Sequence, residues 1–261
     1  MEERYKKIEC IDGLVSIVMP AYNCEEYIAQ AIESVIKQTY QKWELIIIDD
    51  CSTDRTAEIV EKYSQQDTRV LFKQNRKNHG AAFSRNKAIK YSRGEFIAFL
   101  DSDDLWDHEK LERQLLFMKK ENSVFSCTYY RKIDNEGKET GECIKNKRRI
   151  LYKDLLKNCP GNSTVIYDAK KLNKTFIPDI KKRNDYVMWL KVIKKAGSME
   201  TLDDILGSHR VRKGSLSKNK LDLIQYHWYV YRKIEKLSLI YSIYLIFYWS
   251  LKGIKRNIGL K

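Results

Sequence analysis

The amino-acid sequence predicts an α/β fold with a single Rossmann-like, doubly wound, mostly parallel sheet and a helical C-terminal tail. Short, uninterrupted apolar runs alternate with amphipathic helical stretches through the first half of the chain. Strands buried on both faces have this apolar character, and their alternation with helices is typical of parallel sheets. With 261 residues, of which 43% are hydrophobic and 32% charged, the chain is long enough for one sizeable core and is not of disordered composition.

Four apolar runs are the predicted strands of the first half, and a helical stretch follows each of them. Pro20 ends the first run, and because proline lacks the N–H that a central strand needs, we predict that this strand stops before it. Ser52-Thr53-Asp54 is a capping sequence for the second helix, and Gly94 is predicted to close the third. The predicted strands are 15–19, 43–48, 70–72 and 96–100, and the predicted helices are 25–39, 57–63, 81–92 and 105–120.

The second half of the chain is less regular. A strand, a hairpin turn at Asn135-Glu136-Gly137 and a return strand come first. An apolar stripe at helical spacing then ends at Gly197, which predicts a helix over 184–196. The predicted strands here are 124–133, 139–144, 163–167 and 205–211, and the other predicted helices are 151–157 and everything after about 221.

A cluster of carboxylates follows the fourth strand. Five apolar residues run directly into Asp101-Ser102-Asp103-Asp104. Ligands of open α/β sheets bind at the edge where such a strand ends. Carboxylates this close repel one another unless a cation neutralises them, which predicts a hard divalent ion bridging to a phosphate. The alternative is an acidic N-cap of the next helix, and Asp104 is the better candidate for that cap.

Tyr22 and Asp50 each follow a buried strand of the same sheet and should therefore line the same edge. An aromatic ring together with a carboxylate that can accept an imide N–H would suit a uracil base. Taken alone, each residue has an ordinary alternative: Tyr22 as a surface aromatic in a turn, and Asp50 as a helix cap.

Three segments together resemble family 2 glycosyltransferases: Ser16–Asn23, Trp43–Asp54 and Gly94–Asp104. The resemblance covers roughly residues 14–215 and is weakest between about 121 and 180. It implies the GT-A fold and an inverting enzyme that uses a nucleotide-sugar donor. We accordingly expect a catalytic domain over 1–215 and a basic, aromatic, helical tail over 216–261 that associates with a membrane.

The resemblance assigns donor-binding roles to matching positions. Pro20 and Tyr22 correspond to the segment that embraces the nucleobase, with the Tyr22 ring stacked on it. Asp50 corresponds to the carboxylate that contacts uracil, and Arg85 to a contact with the diphosphate or the sugar. A further pair, Asp101 and Asp103, matches the family's D-x-D motif, with Asp103 expected to ligate Mn²⁺ or Mg²⁺ directly.

The resemblance also supplies a base and a closing loop. In the stretch Asn184-Asp185-Tyr186, Asp185 stands at the position of the carboxylate that deprotonates the acceptor, whereas Asn184 replaces the more usual acidic neighbour. The segment 209–217, with Arg210 and Ser215, resembles a loop that closes over the donor diphosphate. The alternatives are a helix-capping role for Asp185 and an ordinary solvated basic run for the loop.

The tail carries most of the positive charge. The whole chain has a net charge of +14, and residues 210–261 hold 12 Lys and Arg against Asp222 and Glu235. Within this basic segment, 237–251 is free of charge and rich in aromatic residues, but it is shorter than the roughly 20 residues that span a bilayer. Such a helix with Lys and Arg on both sides is typical of the membrane interface, on the anionic cytoplasmic leaflet. The alternative is a helix packed on the domain or on a second subunit.

The sequence therefore predicts a cytoplasmic enzyme that is peripheral on the inner face of the membrane. Six scattered cysteines without a C-x-x-C pair, and a charged start without an apolar segment, fit that compartment. We expect transfer of a hexose, with glucose or galactose favoured, from a UDP-sugar to an undecaprenyl-diphosphate-linked glycan in O-antigen or capsule synthesis. The alternatives are a polyprenyl-phosphate glycosyltransferase, a catalytically inactive relative and a basic nucleic-acid-binding protein, although no nucleic-acid-binding motif is present. A homodimer is also compatible with the sequence.

Overall fold

The structure is a computed structural model and describes residues 10–178, 180, 183–212 and 220–258. A mixed sheet of ten strands forms its centre, with helices on both faces. The strands are β1 (Ile11–Ala21), β2 (Trp43–Asp49), β3 (Val70–Gln74), β4 (Gly94–Phe99), β5 (Leu105–Trp106), β6 (Phe125–Ile133), β7 (Glu139–Ile144), β8 (Arg149–Leu151), β9 (Ile166–Asp168) and β10 (Ser198–Arg210). The helices are α1 (Ile28–Ile36), α2 (Thr56–Gln66), α3 (Ala81–Tyr91), α4 (Lys110–Lys120), α5 (Tyr152–Leu155), α6 (Ala169–Leu172), α7 (Asn184–Ala196), α8 (Lys220–Tyr229) and α9 (Leu239–Ile258), with a 3-10 turn at Asn162–Thr164 and a π-helical segment at Val230–Ile234.

The strand order is β3-β2-β1-β4-β9-β6-β10-β5, with β7 paired to β6 and β8 paired to β10. The longer ladders are parallel: they join β1 to β2 and β4, β2 to β3, and β6 to β10. The short strand β9 is antiparallel to both β4 and β6 and so connects the two parallel parts. The predicted α/β fold with one mostly parallel sheet is confirmed.

Both faces of the central strands are buried, which explains their uninterrupted apolar sequences. Along β1, Ile17 and Met19 contribute to the hydrophobic cluster on one face, and Val18 to the cluster on the other. Along β2, Leu45 and Ile46 divide between the two clusters in the same way. Because side chains alternate between faces, a strand covered by helices on both sides needs apolar residues at every position.

Pro20 lies inside β1, so the prediction that the strand stops before it was wrong. The carbonyl of Val18 accepts a hydrogen bond from the Leu100 N–H at 3.1 Å. Backbone groups two residues apart point to the same side of a strand, so the nitrogen of Pro20 also faces β4. The paired register with β4 ends at Val18 and Phe99, whereas the register with β2 continues to Ala21. The missing N–H therefore costs no ladder hydrogen bond.

Three other predicted boundaries differ from the structure, the first two for tertiary reasons. Gly94 does not cap α3 but begins β4, where a Cβ atom would lie 2.5 Å from the carbonyl oxygen of Leu14. Leu105 does not begin a helix, because Leu105–Trp106 pair with β10 as the short strand β5, and α4 begins only at Lys110. The strand predicted over 205–211 is longer, spanning Ser198–Arg210.

The tail packs on the sheet domain. Val230, Tyr231 and Leu245 are fully buried in the same hydrophobic cluster as α7. The carbonyl oxygen of Leu156 accepts hydrogen bonds from the Tyr186 hydroxyl at 3.2 Å, the Tyr231 hydroxyl at 2.8 Å and Trp249 Nε1 at 3.1 Å. One face of α9 thus packs on the domain, which was the alternative to a helix at the membrane interface.

The other face of α9 is exposed. We call Ile240, Ile243, Tyr244, Phe247 and Leu251 the apolar stripe of α9; Ile240 is 82% exposed and Phe247 62%. Their spacing of three and four residues places them on one side of the helix. None of the helices in the described part of the chain is long and apolar enough to cross a bilayer.

Candidate active site

The carboxyl ends of β1, β2 and β4 bring the predicted donor residues to one edge of the sheet. Ala21 pairs with Asp49, so Tyr22 and Asp50 leave neighbouring strands at the same level. Pro20 is buried within β1, whereas Tyr22 is 49% exposed. An exposed ring at this edge is available to stack on a ligand, and its predicted contact with a nucleobase remains a prediction.

Asp50 is buried and already engaged by the protein. Its carboxylate accepts hydrogen bonds from Asn75 Nδ2 at 2.8 Å, the Gly80 N–H at 2.6 Å and Ser84 Oγ at 3.1 Å. The N–H of His79 also donates to it at 3.0 Å. Asp50 therefore organises the loop before α3 and the first turn of that helix. The alternative helix-capping role is wrong, because α2 and α3 have no side-chain cap hydrogen bond at their N-caps Arg55 and Gly80. The predicted contact of Asp50 with uracil remains a prediction.

Asp101 follows β4 and is held by two elements that are distant in sequence. Its Oδ1 atom lies 2.6 Å from Arg85 Nη2, and Asn162 Nδ2 donates to the same oxygen at 2.9 Å. Its N–H donates to Ser163 Oγ at 3.1 Å. The 3-10 turn that carries Asn162 and Ser163 thus fixes where the chain turns after β4.

Asp103 lies in a strongly negative environment. Burial first, and then the charges of Asp104 and Asp101, raise the pKa of Asp103 to about 6. Arg212 Nη2 lies 2.5 Å from its Oδ2 atom. A carboxylate that is costly to ionise without cations nearby fits the predicted metal-binding role.

Asp104 has a different role from the predicted helix cap. It is 1% exposed, and α4 begins six residues later at Lys110. Its carboxylate accepts hydrogen bonds from Ser163 Oγ at 2.5 Å and from the Arg210 N–H at 3.0 Å, and it lies 3.2 Å from His209 Nδ1. Asp104 therefore fastens the end of β10 to the carboxylate cluster, and the capping prediction was wrong.

The neighbouring carboxylates favour the protonated form of His209. Burial alone would lower the pKa of His209, but the neighbouring carboxylates, Asp104 foremost, outweigh burial and raise it to about 9. The charged imidazole partly offsets the negative charge of the cluster.

Arg210 is buried, and its guanidinium donates hydrogen bonds to acceptors of the protein. It donates to the carbonyls of Asp103 at 2.9 Å and Asn135 at 2.7 Å and to Gln30 Oε1 at 2.9 Å, and it is 2% exposed. It thus fixes the backbone beside Asp103, and its predicted contact with the donor remains a prediction. Its neighbour Arg212, with a side chain 37% exposed, faces Asp103 directly. Ser215 lies outside the described residues.

Arg85 connects the carboxylate cluster to the head of α7. Its Nη1 atom donates to Asn184 Oδ1 at 2.9 Å, while Nη2 pairs with Asp101. Burial lowers the pKa of Arg85, but Asp101 and then Asp185 outweigh burial and the net shift is upward. Arg85 therefore stays charged and brings Asp185, in the first turn of α7, to the same site as the D-x-D pair.

The donor set suits a hard divalent cation that also binds a phosphate. Asp101 and Asp103 offer carboxylate oxygens, the ligands that Mg²⁺ and Mn²⁺ prefer. Within the described part of the chain, no three His, Cys, Asp or Glu residues are grouped to hold a metal ion. A metal here would be held by few protein ligands and would complete its shell with diphosphate oxygens and water, as Mg²⁺ usually does.

The residues that support the cluster were not found by sequence reasoning. Asn162 and Ser163 lie about sixty positions after Asp101. Their only visible signal was the polar sequence Asn162-Ser163-Thr164, which has the form of a glycosylation acceptor. The strand predicted over 163–167 was wrong at its start, because Asn162–Thr164 form a 3-10 turn and the strand begins at Ile166. The role of His209 in balancing Asp104 was also missed, because no local spacing links them.

Comparisons with known proteins agree with this geometry. The model for Glycosyl transferase family 2 matches residues 16–176. The chain is 40% identical over 248 residues to UDP-Glc:alpha-D-GlcNAc-diphosphoundecaprenol beta-1,3-glucosyltransferase WfgD of Escherichia coli, a match that covers 94% of this chain and 96% of that protein. It is 35% identical over 246 residues to TuaG of Bacillus subtilis (strain 168), whose name assigns it to teichuronic acid biosynthesis as a glycosyltransferase, with coverage of 94% and 98%.

A solved structure shares the fold. S. aureus TarS 1-349 in complex with UDP-GlcNAc superposes with a TM-score of 0.70 at 23% sequence identity, and the match covers 90% of this chain and 71% of that chain. The ten-stranded mixed sheet is accordingly a GT-A fold. With the family match, near full-length relatives and this fold in agreement, the chain belongs to glycosyltransferase family 2.

Proposed function

We propose that this protein is an inverting transferase that moves a hexose from a UDP-sugar to a sugar linked through diphosphate to undecaprenol, in bacterial O-antigen or capsule assembly. The observation that carries the proposal is the bridge by which Arg85 joins Asp101 to Asn184, because it supports a single site that contains the D-x-D pair and the neighbour of Asn184, Asp185. The name of the relative WfgD supports this acceptor class, and it favours glucose over galactose as the transferred sugar.

In this mechanism Asp185 is the base. Its carboxylate takes the proton of the acceptor hydroxyl while the hydroxyl oxygen attacks C1 of the sugar, and the bond from C1 to the UDP oxygen breaks on the opposite face. A single displacement of this kind inverts the configuration at C1. Asn184 hydrogen-bonds Arg85, so one carboxylate performs the proton transfer without an acidic neighbour.

On the donor side, Asp103 and Asp101 would hold Mn²⁺ or Mg²⁺, which when bound neutralises the diphosphate of the leaving UDP. Tyr22 stacks on the base, and Pro20 and Asp50 shape that edge of the sheet. Arg212 is the cation that can move from Asp103 to the diphosphate, and Arg210 keeps the backbone beside Asp103 in place. Arg85 orients Asp101 and contacts the donor sugar or diphosphate.

The apolar stripe of α9 is proposed to lie in the cytoplasmic surface of the membrane, where the acceptor lipid resides. The sequence places Lys and Arg on both sides of this segment, at 232, 233 and 236 and at 252, 255 and 256. Aromatic and aliphatic side chains between basic flanks are suited to an anionic membrane interface. A peripheral position would bring the active site to a lipid-borne substrate.

The direct test is transfer by the purified full chain onto a synthetic α-GlcNAc diphosphoryl-alkyl lipid, with UDP-glucose, UDP-galactose, UDP-GlcNAc and UDP-GalNAc compared as donors. We expect a β-linked product, loss of turnover with EDTA and recovery with Mn²⁺ or Mg²⁺. An α-linked product would contradict inversion, and full turnover in EDTA would contradict the metal assignment. Transfer by an Asp185→Asn variant onto a polyprenyl phosphate would favour the alternative polyprenyl-phosphate activity.

A further inference from the structure

Two basic side chains contact aromatic rings of α9, and one of them is close in sequence to Asp185. Arg183 immediately precedes α7, two residues before Asp185, and its guanidinium carbon is 5.3 Å from the centre of the Trp249 ring. Lys157 Nζ lies 5.2 Å from the Tyr244 ring and 5.6 Å from the Tyr248 ring. Both cations therefore rest on aromatic residues of the same helix.

Neither cation is neutralised by a carboxylate within the described part of the chain. Arg183 Nε is buried and has no hydrogen-bond partner among the described residues. Arg183 also adopts a left-handed backbone conformation, with φ of 60°, which non-glycine residues rarely hold. A strained backbone and a buried unpaired donor next to a catalytic carboxylate are features that proteins retain mainly at functional sites.

The chain between these cations and the carboxylate cluster is short. Lys157 directly follows Leu156, whose carbonyl binds Tyr231 and Trp249, and five residues later Asn162 donates to Asp101. Burial raises the pKa of the Cys159 thiol, Asp185 adds to the rise and Arg183 opposes it. Both charges therefore act on the Cys159 thiol.

Contacts link four features in order: Arg85 joins the D-x-D pair to the start of α7, which carries Asp185, and the two cations contact α9, which carries the apolar stripe. The acceptor of the proposed function has a matching succession, namely the attacked hydroxyl, its sugar ring, a diphosphate and a polyprenyl chain. We propose that Arg183 and Lys157 bind the diphosphate of the lipid-linked acceptor, as an anion site separate from the one for the donor. This inference rests on the proposed function.

The chemistry of the two side chains fits this ligand. A guanidinium can donate two parallel hydrogen bonds to phosphate oxygens, and an ammonium supplies a second, adaptable charge. Aromatic rings beneath both groups hold them in place without neutralising them. Recognition of a diphosphate at this depth would set the distance from the membrane surface to the attacked hydroxyl.

Binding tests the anion site without turnover. Full-length protein is floated with phosphatidylcholine vesicles that contain undecaprenyl diphosphate, phosphatidylglycerol of matched charge, or neither. We expect the diphosphate lipid to increase binding more than phosphatidylglycerol does, and Arg183→Gln and Lys157→Gln each to reduce that increment about tenfold. The control Lys153→Gln, at an exposed position on α5, should leave it unchanged. Equal binding to the two anionic lipids, or unchanged binding by both variants, would overturn the proposal.

Kinetics separates this proposal from the proposed function. With the α-GlcNAc diphosphoryl-alkyl acceptor, Arg183→Gln and Lys157→Gln should raise the acceptor KM about tenfold while kcat and the donor KM stay near wild type. With a neutral alkyl α-GlcNAc glycoside the variants should match wild type, and Arg183→Lys should retain part of the preference. Equal losses on both acceptors would indicate a structural role and overturn the proposal. If wild-type protein uses neither acceptor, the proposed function fails, while the flotation result still decides the anion site.

Discussion

Arg85 is the residue on which the geometry of the site depends most. A single guanidinium binds Asp101 with one nitrogen and Asn184 with another, and its side chain is only 10% exposed. The planar fork of arginine matches two acceptors at once, whereas the single ammonium of lysine cannot. Arg85 therefore helps to fix the position of the start of α7 relative to the end of β4.

We predict that Arg85→Lys lowers kcat about 10²-fold, because the base and the donor-binding carboxylates lose their fixed spacing. The free energy of unfolding should fall by about 1–3 kcal/mol, since the lysine ammonium would leave one of the two buried acceptors without its hydrogen bond. Steady-state kinetics and urea unfolding measure the two effects. Arg93→Lys, in the more exposed pair with Glu44, is the matched control and should leave kcat unchanged. Wild-type kcat in Arg85→Lys would contradict the bridging role.

Substitutions at Asp185 and at its neighbour Asn184 together test whether Asp185 is the base. Asp185→Asn keeps the shape of the side chain but removes its ability to take a proton, so kcat should fall about 10²- to 10⁴-fold. UDP affinity, measured by calorimetry, should stay unchanged because the donor is held elsewhere. Asn184→Asp should stay active, since the new carboxylate would pair with Arg85. Activity of Asp185→Asn within a few fold of wild type would rule Asp185 out as the base.

At the scale of elements, α9 has two faces with different tasks. One face packs on α8 and the π-helical segment and holds the buried Leu245, and the other carries the apolar stripe. Burial of one face and exposure of large apolar side chains on the other is unusual for a helix that meets only water. A substitution on each face therefore separates folding from docking.

Ile240→Glu with Phe247→Glu should abolish flotation with anionic vesicles, because two charges would enter an apolar interface. Thermal stability and transfer to a short-chain soluble acceptor should be retained. Leu245→Ala, on the buried face, should instead cost about 2–5 kcal/mol of stability. If the double variant changes from a dimer to a monomer without any change in flotation, a second copy of this chain covers the stripe.

The contact between the tail and the domain also predicts a pH response. His227 is 2% exposed and lies among Tyr186, Tyr231 and Trp249, and burial lowers its pKa from 6.5 to about 3. Between these two values the unfolded chain binds a proton that the folded chain does not. Stability is therefore complete above about pH 6.5 and falls as the pH decreases, by about 1.4 kcal/mol per unit for this group.

His227→Phe should remove this part of the acid destabilisation. Urea unfolding at pH 7 and pH 5 measures the difference, with His108→Phe, at an exposed position, as the control. We expect the loss between the two pH values to shrink by about 2 kcal/mol in His227→Phe and to remain in His108→Phe. An equal acid response in wild type and His227→Phe would show that the buried imidazole is not its source.

For the whole molecule, local sequence patterns predicted the features that depend on neighbouring residues in the chain. The apolar run before Asp101 placed that residue correctly at a sheet edge, and Asn184–Ala196 was predicted with its observed bounds. What failed depends on distant partners: Asp104 binds the end of β10, and Gly94 begins a strand because β1 lies against it. Arg85 carried a hint of function, but its contact with Asn184 lies 99 positions away. Sequence spacing holds no record of such a contact.

The carbonyl of Leu156 bears on how proteins of this type can be recombined. It accepts hydrogen bonds from α7, from the π-helical segment and from α9, and Glu235 adds an ion pair with Lys194 at 2.5 Å. If a chimera exchanged only the C-terminal helices of two relatives, the contacts of the tail with Leu156 and Lys194 would lose their matched partners. The transferable module is instead α5, the loop to Asn162, α7 and the tail together. Acceptor and membrane preferences would then be inherited as one block, with the donor half left intact.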